Sequence, residues 1–279
     1  MNKPFLNKCV LLLSALALNN QVAAELKPMN DTALEATVGQ AYIEMDSNLL
    51  DGKQYSRITF GQDVKVQANA DSLVLGQGYN SGTDFSATNL SLGYIDTASN
   101  TIVPFEFTNP YFEWVTDPIS NNMIGFRVGA EETQGMLQMD LTSFSGNIGM
   151  TVNGLASSLY TGVGAGGTTQ SNYRATMIGT NTGNCTDGTD CVSLANIQSL
   201  DVGKDDGGGG TASTGDFFLS FQKEATNWLL SDGSSTQAAT KGFFMNIPTN
   251  NSITISGTDS GTAGYAVEFI DRGVGRWNN

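Results

Sequence analysis

Histidine is missing from all 279 residues. That absence excludes Ser-His-Asp and Cys-His nucleophiles, histidine-ligated zinc and the histidine acid/base. Cysteine is scarce, with three residues, and charged side chains make up 14% of the chain, where about 25% is usual. Apolar residues reach 39% against a globular norm of roughly 45–50%, so the core is lean. The few charges are lopsided: 27 acidic against 13 basic side chains, a formal charge of −14. Phosphate recognition rests on clustered Lys and Arg, so nucleic acid is excluded as a partner, and an anionic membrane surface repels the chain. What is abundant is glycine, with 33 residues, alongside much Thr, Asn and Ser. This is a vocabulary of strands and turns, poor in helix formers.

Residues 1–24 read as a secretory signal peptide. Lys3 and Lys8 supply the positive start, Cys9 through Leu18 the apolar run, and Val22-Ala23-Ala24 a small-residue cleavage site. The run holds about 10 residues where a bilayer span needs about 20, so no transmembrane span is expected in the mature chain. The expected location is the periplasm, the outer membrane or the cell surface. Two cysteines then remain, Cys185 and Cys191 in CTDGTDC. In an exported protein they read as a local disulfide. A loop of about 7 residues contributes only about 2–2.5 kcal/mol in the chain-entropy model, which pins a loop without holding a fold. A redox pair would need the tighter C-x-x-C spacing.

Behind the leader the chain divides into three zones: 25–46, 47–154 and 155–279. In the first, Thr32 and Glu35 stand at capping-box spacing and Gly39 sits where a helix stops, so the spacing predicts a helix of about two turns. Leu34 and Val38 lie one turn apart on it, and a helix so short needs something to pack against. The second zone alternates with period two, as in Ile58-Phe60, Val64-Val66-Ala68, Leu90-Leu92-Tyr94, Ile124-Phe126-Val128-Ala130 and Ile148-Met150-Val152. Residues 125–150 read as three short strands separated by glycine corners. The third zone starts loop-like and contains the cysteine loop and Gly207 to Gly210, a flexible linker or loop tip. Strands return at Phe217-Leu219-Phe221, Phe243-Met245-Ile247 and Val267-Phe269, while Phe221, Ala225, Trp228 and Leu229 fit a strand or a short helix. The expected fold is all-β, a β-solenoid or β-sandwich of short amphipathic strands with Gly/Asn-rich turns and one short N-terminal helix.

The segment LKPMNDTALEATVGQAYI, Leu26 to Ile43 directly behind the leader, resembles the N-terminal motif L-x-x-(M/L)-(D/N)-D-x-x-L-x-x-(V/T)-x-G-Q-A-x-I of the FilA-like pilus-assembly proteins of Gram-negative bacteria. Tyr42 stands where that family commonly has glycine. The block GFRVGAEETQGMLQMDLTSFSGNIGM also looks like the family's glycine-punctuated core. The resemblance implies a non-enzymatic envelope or surface protein of a filament system, with other pilus or envelope proteins, and its own copies, as partners.

Chemical motifs in the chain have plain readings. Gly162-Val163-Gly164-Ala165-Gly166-Gly167 fits G-x-G-x-x-G but no helical pattern follows it. Ser220-Phe221-Gln222-Lys223 fits S-x-x-K, yet no K-T-G follows. Carboxylates remain, since two acids suffice for a glycosidase: Glu106, Glu113, Glu131, Glu132, Asp140, Glu268 and Asp271. Asp187 and Asp190, or Asp205 and Asp206, offer oxygen ligands for calcium on flexible backbone, without EF-hand spacing. No cofactor is expected. Phe105, Phe107, Tyr111, Phe112 and Trp114 either fill the core or form an exposed stacking platform. Leu34, Val38, Tyr111, Phe112 and Trp114 are the partner-binding candidates. The reading is an exported protein working through protein contacts; a secreted carbohydrate- or surface-binding adhesin module is the alternative.

Overall fold

A computed structural model describes residues 43–77, 82–96, 98–162, 169–208 and 210–255. The leader, the expected helix with Leu34 and Val38, and the expected strand at Val267-Phe269 lie outside the described residues.

The described chain opens with β1 (Ile43–Leu50), β2 (Lys53–Phe60), β3 (Asp63–Val66) and β4 (Ala68–Leu75). Next come β5 (Phe85–Leu92) and the small hairpin of β6 (Tyr94–Asp96) and β7 (Thr101–Val103). Two long strands, β8 (Phe105–Thr116) and β9 (Met123–Phe144), lead into β10 (Gly146–Val152) and β11 (Leu155–Thr161). Then follow β12 (Thr169–Gln170), β13 (Met177–Thr180), β14 (Cys191–Ser193), a 3-10 turn at Leu194–Asn196, and β15 (Ser199–Val202). The hairpin β16 (Lys204–Asp205) to β17 (Thr211–Ala212), strand β18 (Phe218–Gln222), the hairpin β19 (Thr226–Leu229) to β20 (Thr236–Ala239) and β21 (Gly242–Ile253) complete it.

The fold is all-β. Fifteen strands join one branched sheet. β15 and β18 both bridge β9 to β21, at different heights, so the sheet curls on itself in a barrel-like closure. A solenoid stacks parallel coils, whereas here the ladders between named strands are antiparallel apart from β10 with β21. Asp51-Gly52 joins β1 to β2 and Asn153-Gly154 joins β10 to β11. All four residues have positive φ, between 50° and 76°, as two-residue hairpin turns matched to strand twist require.

The three short strands expected over 125–150 are instead one strand of 22 residues and its successor β10. β9 passes through the corner because Gly135, at φ 145°, turns the backbone where a side chain is excluded. A Cβ there would sit 2.9 Å from the Phe105 Cα. Before this point β9 pairs with β8, and after it with β5. Gly207, Gly208 and Gly210 lie at the tip of the β16–β17 hairpin, and Trp228 and Leu229 lie on a strand.

The main core gathers Phe85, Phe144, Phe243, Leu137, Met139, Leu141 and Ile148 between the two parts of the sheet. A second cluster holds Tyr55, Val115, Ile124, Phe218, Trp228 and Phe244 under the β19–β20 hairpin, and a third holds Tyr160, Met177 and Cys191.

Candidate functional site

β1, β2, β8, β9, β18 and β21 run side by side, and their register defines two opposite faces. On one face, Arg57 stands opposite Glu113, Glu113 opposite Arg127, and Arg127 opposite Ser220. The Glu113 Oε1 accepts from the Arg57 Nε at 3.2 Å, and its Oε2 accepts from the Arg127 Nε. The Arg127 Nη2 also donates to the Leu229 carbonyl at 2.8 Å, and its guanidinium lies 5.1 Å from the Trp228 ring and 5.0 Å from that of Phe218. Arg57 stacks 4.1 Å over Tyr111. The β19–β20 hairpin covers this face, with the Tyr55 hydroxyl donating to the Asn227 carbonyl at 2.6 Å. Burial first, then the charges of Asp51 and Glu113, push the Tyr55 phenol up to about 12. Burial raises Tyr111 as well.

A cavity of 510 Å³ opens beside this triad, lined also by Asp46, Glu131 and Ser231. Both Glu113 oxygens are engaged by guanidinium groups, which makes it an anchor for the two arginines. The remaining described carboxylates considered for acid/base chemistry have other partners. Glu106 pairs with Lys65 at 2.7 Å, Glu131 accepts from Asn109, Glu132 from Ser213 and Asp140 from Asn89. Glu268 and Asp271 lie outside the described residues. Ser220 is buried on β18 with its hydroxyl donating to the Phe244 carbonyl, while Lys223 is exposed.

The opposite face is apolar and its burial is graded. One row runs Met45, Ile58, Phe112, Val128, Leu219 and Met245; the next runs Ser47, Ser56, Trp114, Phe126, Phe221 and Phe243. Met245 and Phe243 belong to the main core, whereas Val128 is 43% exposed and Met45 73%. The rings form a continuous series, with Phe112 6.0 Å from Trp114 and 5.4 Å from Phe126, Phe126 5.3 Å from Phe221, and Phe221 5.2 Å from Phe243. At its inner end a pocket of 470 Å³ is floored by Phe126, Phe221 and Phe243, with Lys223 and Lys241 among its lining. At its outer end stands β1, which pairs with β2 alone among the described strands. Ile43 and Leu49, 49% and 68% exposed, continue the apolar side along it.

The aromatic candidates therefore divide. Tyr111 is buried beneath Arg57, Phe105 is in the main core with Phe107 packed against it, and Phe112 and Trp114 are half-buried on the open face. The alternation at Ile124-Phe126-Val128-Ala130 left open which face is covered, and the structure puts Arg127 inside, 2% exposed, with Val128 facing outward. The hairpin, which supplies Trp228, and the aligned Glu113 make the arginine side the covered one. A signal existed, since three adjacent strands each carry a charge next to apolar or aromatic residues: Arg57, Glu113 and Arg127.

Cys185 and Cys191 form a disulfide, with Cα atoms 5.0 Å apart. Gly188, at φ 74°, turns the enclosed loop, and its amide donates to the Cys191 carbonyl at 2.8 Å. Asp187 is exposed and Asp190 half-buried in this loop. Asp205 accepts from the Gly207 amide, and Asp206 from those of Gly208 and Gly210, so these acids shape the glycine turn. Among the described residues no three acidic or cysteine side chains gather to hold a metal, and no helix is long and apolar enough to cross a membrane. Comparison with family models, curated proteins and solved structures finds no match.

Proposed function

We propose that this chain is an exported, non-enzymatic component of a pilus-like or filamentous surface system, acting through protein–protein contacts in assembly or as a structural part. The observation that carries the reading is β1, an edge strand among the described residues, with its exposed Ile43, Met45 and Leu49 continuous with the Phe112 and Trp114 face. Monomeric soluble proteins blunt such edges with Lys, Pro or bulges, because a row of unpaired amides and carbonyls templates pairing with another chain. β1 carries none of these devices on its apolar side. The leader pattern and the resemblance of residues 26–43 to pilus-assembly proteins supply the context.

The test is fractionation of cells that make the protein. Protease shaving and mechanical shearing should release it with filaments or the outer membrane, and Met45→Lys should abolish that association while the protein is still exported. A protein that stays in the cytoplasm, or is exported but never sediments with filaments, overturns the reading. The adhesin alternative is favoured by one feature: the Phe112, Phe126 and Phe221 rings lie nearly parallel, at 27–30°, as a platform for sugar stacking. Retention on glycan arrays, lost in Trp114→Ala, would decide for it.

A further inference from the structure

The filament reading leaves the occupant of the β1 edge unnamed. We infer that it is β1 of a second copy, paired antiparallel about a two-fold axis at Ser47. This deepens the proposed function and rests on it.

The argument is one of register. Directly opposed residues of an antiparallel pair share a face, and a slip of one residue would turn the apolar side of one copy against the polar side of the other. Only registers centred on a residue keep the two apolar sides together. A centre at Asp46 sets two carboxylates directly against each other, and a centre at Met45 sets Glu44 against Asp46. Like charges so placed are destabilising. A centre at Ser47 opposes Met45 with Leu49, Glu44 with Leu50, Asp46 with Asn48, and Ser47 with itself. It pairs residues 44 to 50, a longer overlap than a centre at Asn48 allows, and no two acids meet. Met45 and Leu49, the two most exposed apolar residues of β1, become cross-strand neighbours twice over.

The pairing also satisfies the outward amides and carbonyls of β1, and joins the two aromatic faces on one side of a single sheet. The excess of acidic side chains in each chain opposes it at long range. Salt screens that repulsion, so association should strengthen with ionic strength.

The experiment uses purified mature protein with its Cys185–Cys191 disulfide intact. Light scattering and sedimentation should show a concentration-dependent dimer that tightens with salt. Met45→Lys should weaken it by about tenfold or more, and mixing M45K with L49E should restore a heterodimer. Under mild oxidation Ser47→Cys should crosslink to its mate, because opposed residues hold their Cα atoms about 4.5–5.5 Å apart, within disulfide reach. Asn48→Cys should not, since its mate lies two residues away along the strand. The native melting temperature of each variant confirms folding. A protein monomeric at all salt concentrations, or a dimer indifferent to M45K and not linked by S47C, overturns the inference. A monomer that still travels with sheared filaments would overturn self-pairing alone, whereas a dimer that never sediments with filaments would overturn only the filament reading.

Discussion

Arg127 and Val128 are neighbours in the chain and opposites in environment: the arginine is sealed under the β19–β20 hairpin and the valine faces outward. The contrast extends across β2, β8 and β9. One face carries Arg57, Glu113 and Arg127 in line and is covered; the other carries Phe112, Trp114 and Phe126 and is open toward β1. Polarity alone does not decide which side of a sheet is inside. A charged face can be buried where its charges are mutually paired and its remaining donors find carbonyls, as Arg127 finds Leu229. An apolar face can stay open where a further element or chain is to cover it.

The largest expected effect breaks the covered face. Glu113→Ala leaves two arginines without their shared partner, one of them fully buried, and should lower unfolding free energy by about 3–5 kcal/mol in denaturant titrations. The matching change on the other face, Val128→Ala, should stay within about 0.5 kcal/mol. If the two substitutions cost the same, the assignment of inside and outside is wrong.

A middle-sized effect concerns the disulfide, remote from both faces. Replacing Cys185 and Cys191 with serine should cost about 2–2.5 kcal/mol, because the closed loop is short. Mass spectrometry of native material should find both sulfurs oxidised.

Alkaline titration sharpens the contrast through Tyr55, which lies on the covered face. Its phenol ionises at its ordinary value of 10 when unfolded and is held up to about 12 when folded. Between those values the native state binds more protons than the unfolded one. The contribution is therefore complete below about pH 10 and is lost as pH rises through about 12. Stability measured across that window should fall, and Tyr55→Phe should flatten the decline.

The smallest effect lies at the tip of the covering hairpin. The Asp232 carboxyl is held down to about 2 by the Ser235 hydroxyl first, then by the amides of Ser235 and Ser234, which both donate to it. Asp232→Ala should shift the melting temperature less than loss of the disulfide does. Protection of the β19–β20 amides in hydrogen exchange should fall first.

Much of the fold was legible from local chemistry. The strand at Ile148-Met150-Val152, the turn at Gly154 and the loop closed by Cys185 and Cys191 each follow from periodicity, glycine or cysteine spacing. The unbroken course of β9 was not legible, since a glycine that bends a strand and one that ends it look alike until a neighbour such as Phe105 takes the space beside it. The site was legible only in pieces: Phe112 and Trp114 stand among the candidates, whereas Arg127 does not, because its burial depends on the distant hairpin that covers it.

What the sequence by itself determined is therefore the alternation: which side chains stand together on each side of each strand, where tight turns fall, and that the chain is β-rich and acidic. These depend on residues a few positions apart, whose geometry the backbone fixes. What only the tertiary structure decided is which side is covered, and with it that Glu113 anchors two arginines while β1, among the described strands, pairs with β2 alone. That choice depends on a hairpin more than a hundred residues beyond β8 settling on one face, a contact no local pattern encodes.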